Sequence, residues 1–394
     1  MRKVLILNGT ISEIPIIRKT QELGYFVVTT GNDPTLPGHA ISDKYINEDY
    51  SNQEAILKLV IENKIDGIIS CANDFGVITS SYVAEKMGWS GHDTYENSKL
   101  MHHKDKLRDY FKRMGFPCPE VEIFTDIENA MTYCRKCEYP VMVKANDLTG
   151  GKGIFRADNY EEAEKALKES FSISRDKHII IEQFFTGVQQ SIVVFLVNKR
   201  IVVTSSSNIY CMRNPYLVQA ETYPAENFEA VKDELHGIIH KMADDLNLVD
   251  GIFSFQYFVH NGHPYVIDMM RRCFGNETLL LADVMTGFPW EEAYIKSSLG
   301  IDCDSIEMNA PEANYCGHYG LMAGQNGILK SYNIPQDIEN RIFKKTVNIN
   351  IGEKISDSMT QKVAHIYFTY DDMEQMNKEI LDYNGRIEIC VEDE

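Results

Sequence analysis

A glycine-rich stretch at residues 139–156, YPVMVKANDLTGGKGIFR, constrains the fold of this chain more than any other segment. Residues 141–144 are apolar and rich in β-branched side chains, which predicts a short buried strand, and residues 154–156 predict a second one. Three glycines stand between the two strands, so several backbone N–H groups can approach the oxygens of a phosphate. The segment therefore predicts a strand–loop–strand unit that can fold over an anionic ligand.

The order of these elements distinguishes the loop from a Walker A phosphate loop. A Walker A loop leads from a strand into a helix and carries Ser or Thr directly after its Gly-Lys pair, whereas here Gly153 follows Lys152. Lys144 ends the first predicted strand and Lys152 lies within the loop, so two ammonium groups flank the glycines. Taken alone, the segment is equally compatible with a flexible hairpin turn, because glycine-rich turns are common.

The composition excludes several classes of partner. The 394 residues suffice for two or three domains, and the formal net charge is −19, from 39 Lys and Arg against 58 Asp and Glu. We therefore expect neither nucleic acid nor an anionic membrane as a partner. No apolar run reaches the roughly 20 residues of a membrane span, and the N-terminal run is too short for a signal peptide. Nine scattered cysteines favour a reducing cytoplasm and no disulfides.

The first part of the chain alternates between strand and helix patterns. Strands are predicted at residues 4–7, 25–29 and 65–71. This alternation is typical of a parallel α/β domain of about 95 residues. Gly9 stands alone where a dinucleotide fingerprint needs three glycines, which argues against a nicotinamide enzyme. Asn73 and Asp74 follow the carboxyl end of a predicted strand and are weak substrate-binding candidates, although a helix cap is the favoured alternative.

Antiparallel pairs replace this alternation further along the chain. Helices are predicted at residues 98–114, 126–137, 159–171 and 226–246. Two hairpins are predicted, at residues 191–205 with a turn at 198–199 and at residues 252–268 with a turn at 261–262. Asp158 and Glu161 predict a capping box for the helix at 159–171. Short strands at residues 346–350, 363–370 and 386–391 and a helix at 372–383 complete the α+β part.

The second hairpin carries two polar residues that suit a metal ion. Gln256 and Asp268 stand on its two strands close to one face, and Arg271 and Arg272 follow soon after. A carboxylate offers the hard oxygen ligands that Mg²⁺ prefers, and a guanidinium can bind a phosphate through two hydrogen bonds. The hairpin therefore predicts a place for Mg²⁺ beside phosphate, with a surface ion pair as the alternative.

Together these motifs resemble the ATP-grasp superfamily, in particular biotin carboxylase, carbamoyl-phosphate synthetase large-subunit domains and the amino-acid ligases. KDKLRDYFKRMGFPCP is similar to the entry helix of that family, VMVKANDLTGGKGIF to its lid hairpin, IIIEQFFTGVQQS to its adenine-binding hinge and DMMRR to its Glu-x-Asn-x-Arg run. The resemblance implies an α/β plus α+β fold. Residues 1–96 would form a Rossmann-like pre-ATP-grasp domain, 97–306 the ATP-grasp domain with a lid at about 119–181, and 307–394 a small C-terminal α+β domain.

The resemblance also assigns roles to single residues. ATP would be bound by Lys104, Lys144, Gly150, Gly151, Lys152, Gly153, Glu182, Gln183, Phe184, Phe185 and Gln189. Asp268 and, more weakly, Gln256 would hold Mg²⁺, and Arg272 would contact the reacting phosphoryl group or carboxylate. Three positions depart from the family. Gln189 and Gln256 replace glutamates, and Met270 replaces a metal-binding asparagine with a soft sulfur that does not suit Mg²⁺.

The implied activity is an ATP-dependent carboxylate–amine ligase for small molecules, with an acyl-phosphate intermediate and with ADP and phosphate as products. Two alternatives stay open: an enzyme like biotin carboxylase or carbamoyl-phosphate synthetase, and a nucleotide-binding protein with little or no turnover. A homodimer stays open as the assembly. Arg213, in a Met-Arg-Asn-Pro stretch, joins Asn73 and Asp74 as a weak substrate-binding candidate, with a plain loop arginine as the favoured alternative.

Overall fold

The structure is a computed structural model that describes residues 1–70, 72–146, 148 and 153–393. Its first elements are β1 (Lys3–Leu7), α1 (Ile14–Glu22), β2 (Phe26–Gly31), α2 (Pro37–Ile41), β3 (Lys44–Asn47), α3 (Gln53–Asn63), β4 (Gly67–Ile69) and α4 (Asp74–Met87). The four strands form a parallel sheet in the order β3-β2-β1-β4, which confirms the predicted α/β start. Because β1 and β4 are neighbours, their carboxyl ends form a switch point, where open parallel sheets bind ligands.

The basic segment forms two helices, α5 (Tyr95–His102) and α6 (Lys104–Met114), so the prediction of one helix over 98–114 was wrong. His103 separates them with an extended backbone at φ −104° and ψ 119°. Neither glycine nor proline stands at this position, so the local sequence carried no signal for the break. Its consequence is that Lys104 is the first residue of α6.

The next six elements are β5 (Val121–Phe124), α7 (Ile127–Cys134), β6 (Val141–Ala145), β7 (Ile154–Ala157), α8 (Tyr160–Ile173) and β8 (Ile179–Gln183). We call them the lid unit; their strands form a sheet in the order β5-β8-β6-β7. β6 and β7 pair antiparallel, with Lys144 opposite Ile154, which confirms the strand–loop–strand order. The predicted cap of α8 at Asp158 was wrong by one residue, because the Asn159 side chain accepts from the Glu162 N–H at 3.0 Å.

Antiparallel pairs dominate the next part of the chain. Its elements are β9 (Gln189–Val197), β10 (Arg200–Tyr210), β11 (Ala220–Tyr223), α9 (Lys232–Asp245), β12 (Gly251–His260), β13 (His263–Met270), α10 (Leu279–Thr286) and α11 (Trp290–Ser298). Both predicted hairpins are confirmed, and Asn198, Lys199, Asn261 and Gly262 all have positive φ at the turns. The helix predicted at 226–246 was too long, because a 3₁₀ turn at Phe228–Ala230 precedes α9.

The last elements are β14 (Tyr315–Leu321), β15 (Gly327–Asn333), α12 (Gln336–Glu339), β16 (Ile342–Val347), β17 (Lys354–Ile355), β18 (Ala364–Tyr370), α13 (Met373–Arg386) and β19 (Glu388–Glu392). The strand expected at 346–350 therefore lies earlier, at β16. An eight-stranded sheet runs β13-β12-β9-β10-β11-β14-β18-β16, and a three-stranded sheet runs β17-β15-β19.

This arrangement confirms the expected α/β plus α+β fold class. The large sheet joins strands from the middle and the end of the chain, whereas the domain divisions after residues 96 and 306 stay predictions. No helix within the described ranges is long and apolar enough to cross a membrane.

Candidate active site

A cleft of about 490 Å³ collects most of the residues predicted to bind ligands. Its walls come from the lid unit, the large sheet, the loop after β4 and the segment before β18. The predicted residues that line it are Asn73, Asp74, Lys104, Lys144, Glu182, Gln183, Phe184, Phe185, Gln189, Gln256, Asp268 and Arg272. Three further predicted ATP contacts, Gly150, Gly151 and Lys152, lie outside the described residues.

Lys104 and Lys144 reach the same cleft because the start of α6 is bound to the end of β6. The Asn146 side chain, directly after β6, accepts from the Asp105 N–H at 3.1 Å. Its amide nitrogen donates to Asp176 at 3.1 Å, which fixes its orientation. Two ammonium groups from separate elements thus line one cavity, an arrangement that suits phosphate oxygens.

Glu182, in β8, binds two basic side chains inside the protein. Its Oε1 accepts from Lys144 Nζ, and its Oε2 accepts from Arg108 Nη2 at 3.2 Å. Burial opposes ionisation of this carboxyl, but the charges of Lys144 and Arg108 outweigh it, so the pKa of Glu182 lies below its ordinary value. Arg108 also donates to the Ile267 carbonyl at 2.6 Å, which links the lid unit to β13.

The predicted adenine-binding hinge lies directly after Glu182. Gln183, Phe184 and Phe185 all line the cleft. The Phe184 ring lies 4.4 Å from the Arg156 guanidinium of β7, and the buried Phe185 ring packs against Tyr265 at 4.9 Å between ring centroids. Because both rings have partners outside the cleft, the backbone of this segment is held in place and can offer its polar groups to a ligand.

The predicted metal position lies at the β12–β13 pair. Gln256 lies directly opposite Asp268, because a β-bulge between Gln256 and Tyr257 shifts the register of the hairpin by one residue. The Gln256 side-chain oxygen accepts from the Gln189 amide at 2.9 Å, and Asp268 accepts from the Met269 N–H at 3.0 Å. Among the described residues, no three His, Cys, Asp or Glu side chains are grouped to hold a metal ion. One carboxylate and one amide oxygen fit Mg²⁺ only if phosphate oxygens complete its coordination.

Arg272, just after β13, is oriented by the first residue of α4. Its Nε donates to Asp74 Oδ1 at 2.7 Å, and His102 Nδ1 lies 3.1 Å from the same oxygen. Burial raises the pKa of Asp74, but the charges of Arg272 and His102 lower it more strongly, to well below its ordinary value. Asn73 caps α4 by accepting from the Phe75 N–H at 2.9 Å, as the alternative interpretation held.

Two predicted residues do not line the cleft. Gly153 has φ +66°, and its carbonyl accepts from the Ala145 N–H at 2.9 Å, so it closes the β6–β7 hairpin. The Arg213 guanidinium donates to the carbonyls of Ser358, at 3.2 Å, and of Gly324. It therefore fastens the loop after β10 to the C-terminal part of the chain, in agreement with the plain loop arginine that the sequence favoured.

Sequence reasoning missed several residues of the cleft and its supports: Arg108, His102, Glu221 and Lys362. Arg108 is buried beside Leu107 and Phe111 on the inner face of α6. The sequence signal for Arg108 was a charged residue on the apolar face of a helix. Burying an unpaired guanidinium is costly, so such a residue is expected to have a partner. Glu221 lies within the buried strand β11, which is the equivalent signal in a strand.

Residues 102–211 match the model of the family described as phosphoribosylglycinamide synthetase, ATP-grasp (A) domain. This segment is therefore similar to an ATP-grasp domain, in agreement with the resemblance of the sequence motifs. A curated relative, phosphoribosylamine–glycine ligase of Haemophilus influenzae, is 26% identical over 198 residues, which cover 46% of this chain and 46% of the relative. The chain thus matches about half the length of that relative.

Two solved structures of similar fold cover nearly the whole chain. L-amino acid ligase from Bacillus licheniformis has a TM-score of 0.81 at 16% identity, covering 100% of this chain and 99% of its own. The biotin carboxylase domain of Hydrogenobacter thermophilus 2-oxoglutarate carboxylase, solved as a dimer with MgADP, ADP and bicarbonate, has a TM-score of 0.77 at 18% identity, covering 99% and 91%. At these identities the likeness shows the fold.

Proposed function

We propose that the chain is an ATP-dependent ligase that joins the carboxylate of one small molecule to the amine of another, releasing ADP and phosphate. The observation that carries the proposal is that one cleft is lined both by Lys144 and Glu182 and by Asp268 and Arg272. Nucleotide-binding groups and phosphate-transfer groups therefore face the same space. The name of the curated relative, a ligase, supports the same reaction class.

The nucleotide would lie between the lid unit and the large sheet. Lys104 and Lys144 neutralise its phosphates, and the Gln183 carbonyl and Phe185 N–H bind its base. Sequence resemblance placed Glu182 at the ribose, but this carboxylate binds Lys144 and Arg108. We therefore assign Glu182 a positioning role, in which it holds the Lys144 ammonium at the phosphates.

Phosphoryl transfer needs positioned charge rather than covalent participation of the protein. Asp268 and the Gln256 oxygen would hold Mg²⁺, which when bound would supply positive charge against the charge that develops during transfer. Arg272, oriented by Asp74, contacts the transferred group. The substrate carboxylate attacks the γ-phosphorus and ADP leaves; the amine then attacks the acyl carbon of the acyl phosphate and phosphate leaves.

A nucleotide-binding protein with little turnover is the second candidate. The observation that favours it is that the predicted metal site has one charged ligand, Asp268. Gln256 and the buried Met270 stand where the resemblance implies a glutamate and an asparagine. An enzyme like biotin carboxylase would use the same cleft with bicarbonate as the carboxylate. The described cysteines are all free, which fits the reducing cytoplasm that we propose as its location.

Trapping with hydroxylamine tests the proposal. The protein is incubated with ATP, Mg²⁺, hydroxylamine and a panel of small carboxylates, and hydroxamate, ADP and AMP are measured. We expect hydroxamate and ADP in equal amounts with at least one carboxylate, and their loss in Asp268→Asn. Formation of AMP and pyrophosphate would show adenylation and overturn the reaction class. Nucleotide binding without either product would favour the second candidate.

A further inference from the structure

The cleft contains a second pair of opposite charges that the proposed reaction leaves unused. Glu221 lies in β11 and Lys362 lies two residues before β18, so the two come from distant parts of the chain. Both line the cleft although each residue is only 8% exposed. Ionisable side chains are rarely buried to this extent without a partner, so a partner is expected for each of the two.

A polar row on the large sheet connects this pair with the metal position. Gln256 pairs in register with Asp268 on one side and with Ser191 on the other, and Ser191 pairs with Ser207. The two serine hydroxyls lie 2.7 Å apart, and Ser207 donates to Glu221 Oε1 at 3.0 Å. Because cross-strand partners project on the same face, the residues from Asp268 to Ser207 form one row, and the hydrogen bond from Ser207 extends it to Glu221.

Lys362 is held in place by neutral groups. Its Nζ donates to the Val218 carbonyl at 2.6 Å and to the Asn276 side chain at 3.2 Å. An ammonium has three N–H donors, so one remains for a ligand. Its stem crosses Gly320, where a Cβ would lie 2.6 Å from Lys362 Cδ, so only glycine leaves room for this path. Burial lowers the pKa of Lys362 to about 8.

Glu221 also lacks a charged partner among the described residues. The basic nitrogen within ion-pair distance is His318 Nδ1, at 3.6 Å, and burial lowers the pKa of His318 so far that the ring is neutral. Burial raises the pKa of Glu221 to about 7. Lys362 and Glu221 shift each other's pKa without forming an ion pair within 4.0 Å, so a gap separates them.

We propose that Lys362 and Glu221 bind the two charged ends of a zwitterionic substrate, an α-amino acid, with its carboxylate on Lys362 and its ammonium on Glu221. This inference rests on the proposed function, because it makes the amino acid the amine substrate of the ligase. A zwitterion satisfies both buried charges at once and adds no net charge to the cleft, whereas a simple anion or cation leaves one of them unpaired. Leu217, Val218 and Phe274 line the same cleft and can pack against an apolar side chain.

Binding measurements on the full chain test this assignment. The probes are the common L-amino acids, each with its N-acetyl and its carboxamide form, added with Mg²⁺ and a non-hydrolysable ATP analogue. We expect at least one free amino acid to bind and both of its blocked forms to bind at least about tenfold more weakly, because each loses a charge-assisted contact. Glu221→Gln and Lys362→Met should each weaken the free amino acid by about ten- to a hundredfold. Their affinity for the ATP analogue should stay unchanged.

Glu226→Gln is the matched control, because this exposed carboxylate lies five positions on, does not line the cleft and should bind the amino acid as the parent does. Equal binding of free and blocked forms, or unchanged affinity in both variants, would overturn the assignment. Hydroxamate formation with a carboxylate while no amino acid binds would leave the ligase standing and refute this site. Amino-acid binding that depends on both residues, without any ADP release, would support the site and refute the ligase.

Discussion

Two buried carboxylates line the same cleft, and their surroundings differ in kind. Glu182 binds Lys144 and, at 3.2 Å, Arg108, so its charge is neutralised within the protein. Glu221 accepts from the Ser207 hydroxyl at 3.0 Å and has no ion pair with Lys or Arg among the described residues, and burial raises its pKa rather than lowering it. The Glu182 carboxylate has its charged partners before a ligand binds. Burial of the charged Glu221 carboxylate, in contrast, destabilises the folded protein.

This difference indicates different roles for the two regions. A paired carboxylate fixes the position of a lysine, so the nucleotide end of the cleft is ordered in advance and binding costs less freedom there. An unpaired buried charge destabilises the folded state unless a ligand compensates it, which is the pattern expected where function is favoured over stability. Variants at the two positions should therefore change stability in opposite directions.

Glu182→Ala should have the largest effect. It leaves the ammonium of Lys144 and the guanidinium of Arg108 buried without their carboxylate, and loss of one partner of a buried pair costs about 3–5 kcal/mol of unfolding free energy. Because the pKa of Glu182 is lowered in the fold, its stabilisation is present above the ordinary carboxyl pKa and is lost as pH falls through the folded pKa. Denaturant unfolding at pH 7 and in acid measures both effects.

Glu169→Ala, which removes an exposed carboxylate from α8, is the control for Glu182→Ala. We expect it to change the unfolding free energy little, as surface substitutions usually do. Equal stability of the two variants would contradict the assignment of Glu182 as a paired, buried charge.

Local patterns predicted the parts of this site that neighbouring residues determine. The turn at residues 261–262 predicted the hairpin that carries Gln256 and Asp268, and the β6–β7 pairing followed from two short apolar runs flanking glycines. The strand alternation also predicted the parallel sheet at the start of the chain. Strand period and turn chemistry are encoded within a few residues, so one sequence suffices for them.

Ion pairs between distant residues could not be predicted in this way. Arg108 and Glu182 are 74 positions apart, and Asp74 and Arg272 are 198 positions apart. The sequence suggests Asp74 as a substrate contact, because its place after a strand is visible there while its partner is not. Such contacts depend on how separate sheets pack together, and strand and helix periodicity carries no information about that.

Glu221→Gln should stabilise the free protein, opposite in sign to Glu182→Ala. The raised pKa means that the charged form of Glu221 is disfavoured in the folded protein. The resulting loss of unfolding free energy is complete above about pH 7 and disappears below the ordinary carboxyl pKa of 4.5. Glutamine can still accept from Ser207 and carries no charge. The shift from 4.5 to about 7 corresponds to a gain of about 3 kcal/mol at pH 8.

The increase in unfolding free energy that Glu221→Gln causes should be largest at pH 8 and nearly absent at pH 4. Denaturant unfolding without ligand measures it at both pH values. Burial raises the pKa of Cys211 to about 11 and that of Tyr223 well above its ordinary value, so both groups stay protonated over this range, and burial lowers the pKa of His318 well below its ordinary value. Lys362 titrates at about 8, at the upper end of the range. A loss of stability at pH 8 would show that Glu221 has a partner in the folded protein.

Lys144→Ala and Lys362→Met should separate the two regions by ligand. Loss of one charge-assisted phosphate contact costs about 1.5–3 kcal/mol, so Lys144→Ala should bind an ATP analogue about ten- to a hundredfold more weakly. Lys362→Met should bind the analogue as the parent does, because its contacts are to Val218 and Asn276. Titration with a fluorescent nucleotide measures both. An equal loss in both variants would mean that the nucleotide phosphates reach Lys362.

Gln256→Glu should have the smallest effect, and it tests whether the β12–β13 pair holds the metal ion. The Gln256 oxygen already accepts from the Gln189 amide at 2.9 Å, and a carboxylate oxygen can keep that bond, so the local structure should persist. The change adds a negative oxygen beside Asp268, and hard cations bind more tightly as the ligand charge rises. We therefore expect several-fold less Mg²⁺ at the midpoint of metal-dependent binding of the ATP analogue, whereas Asp268→Asn should need more. Since binding rather than turnover is measured, the result holds whether or not the chain is an active ligase. Equal Mg²⁺ midpoints for the parent and both variants would mean that the β12–β13 pair does not hold the metal.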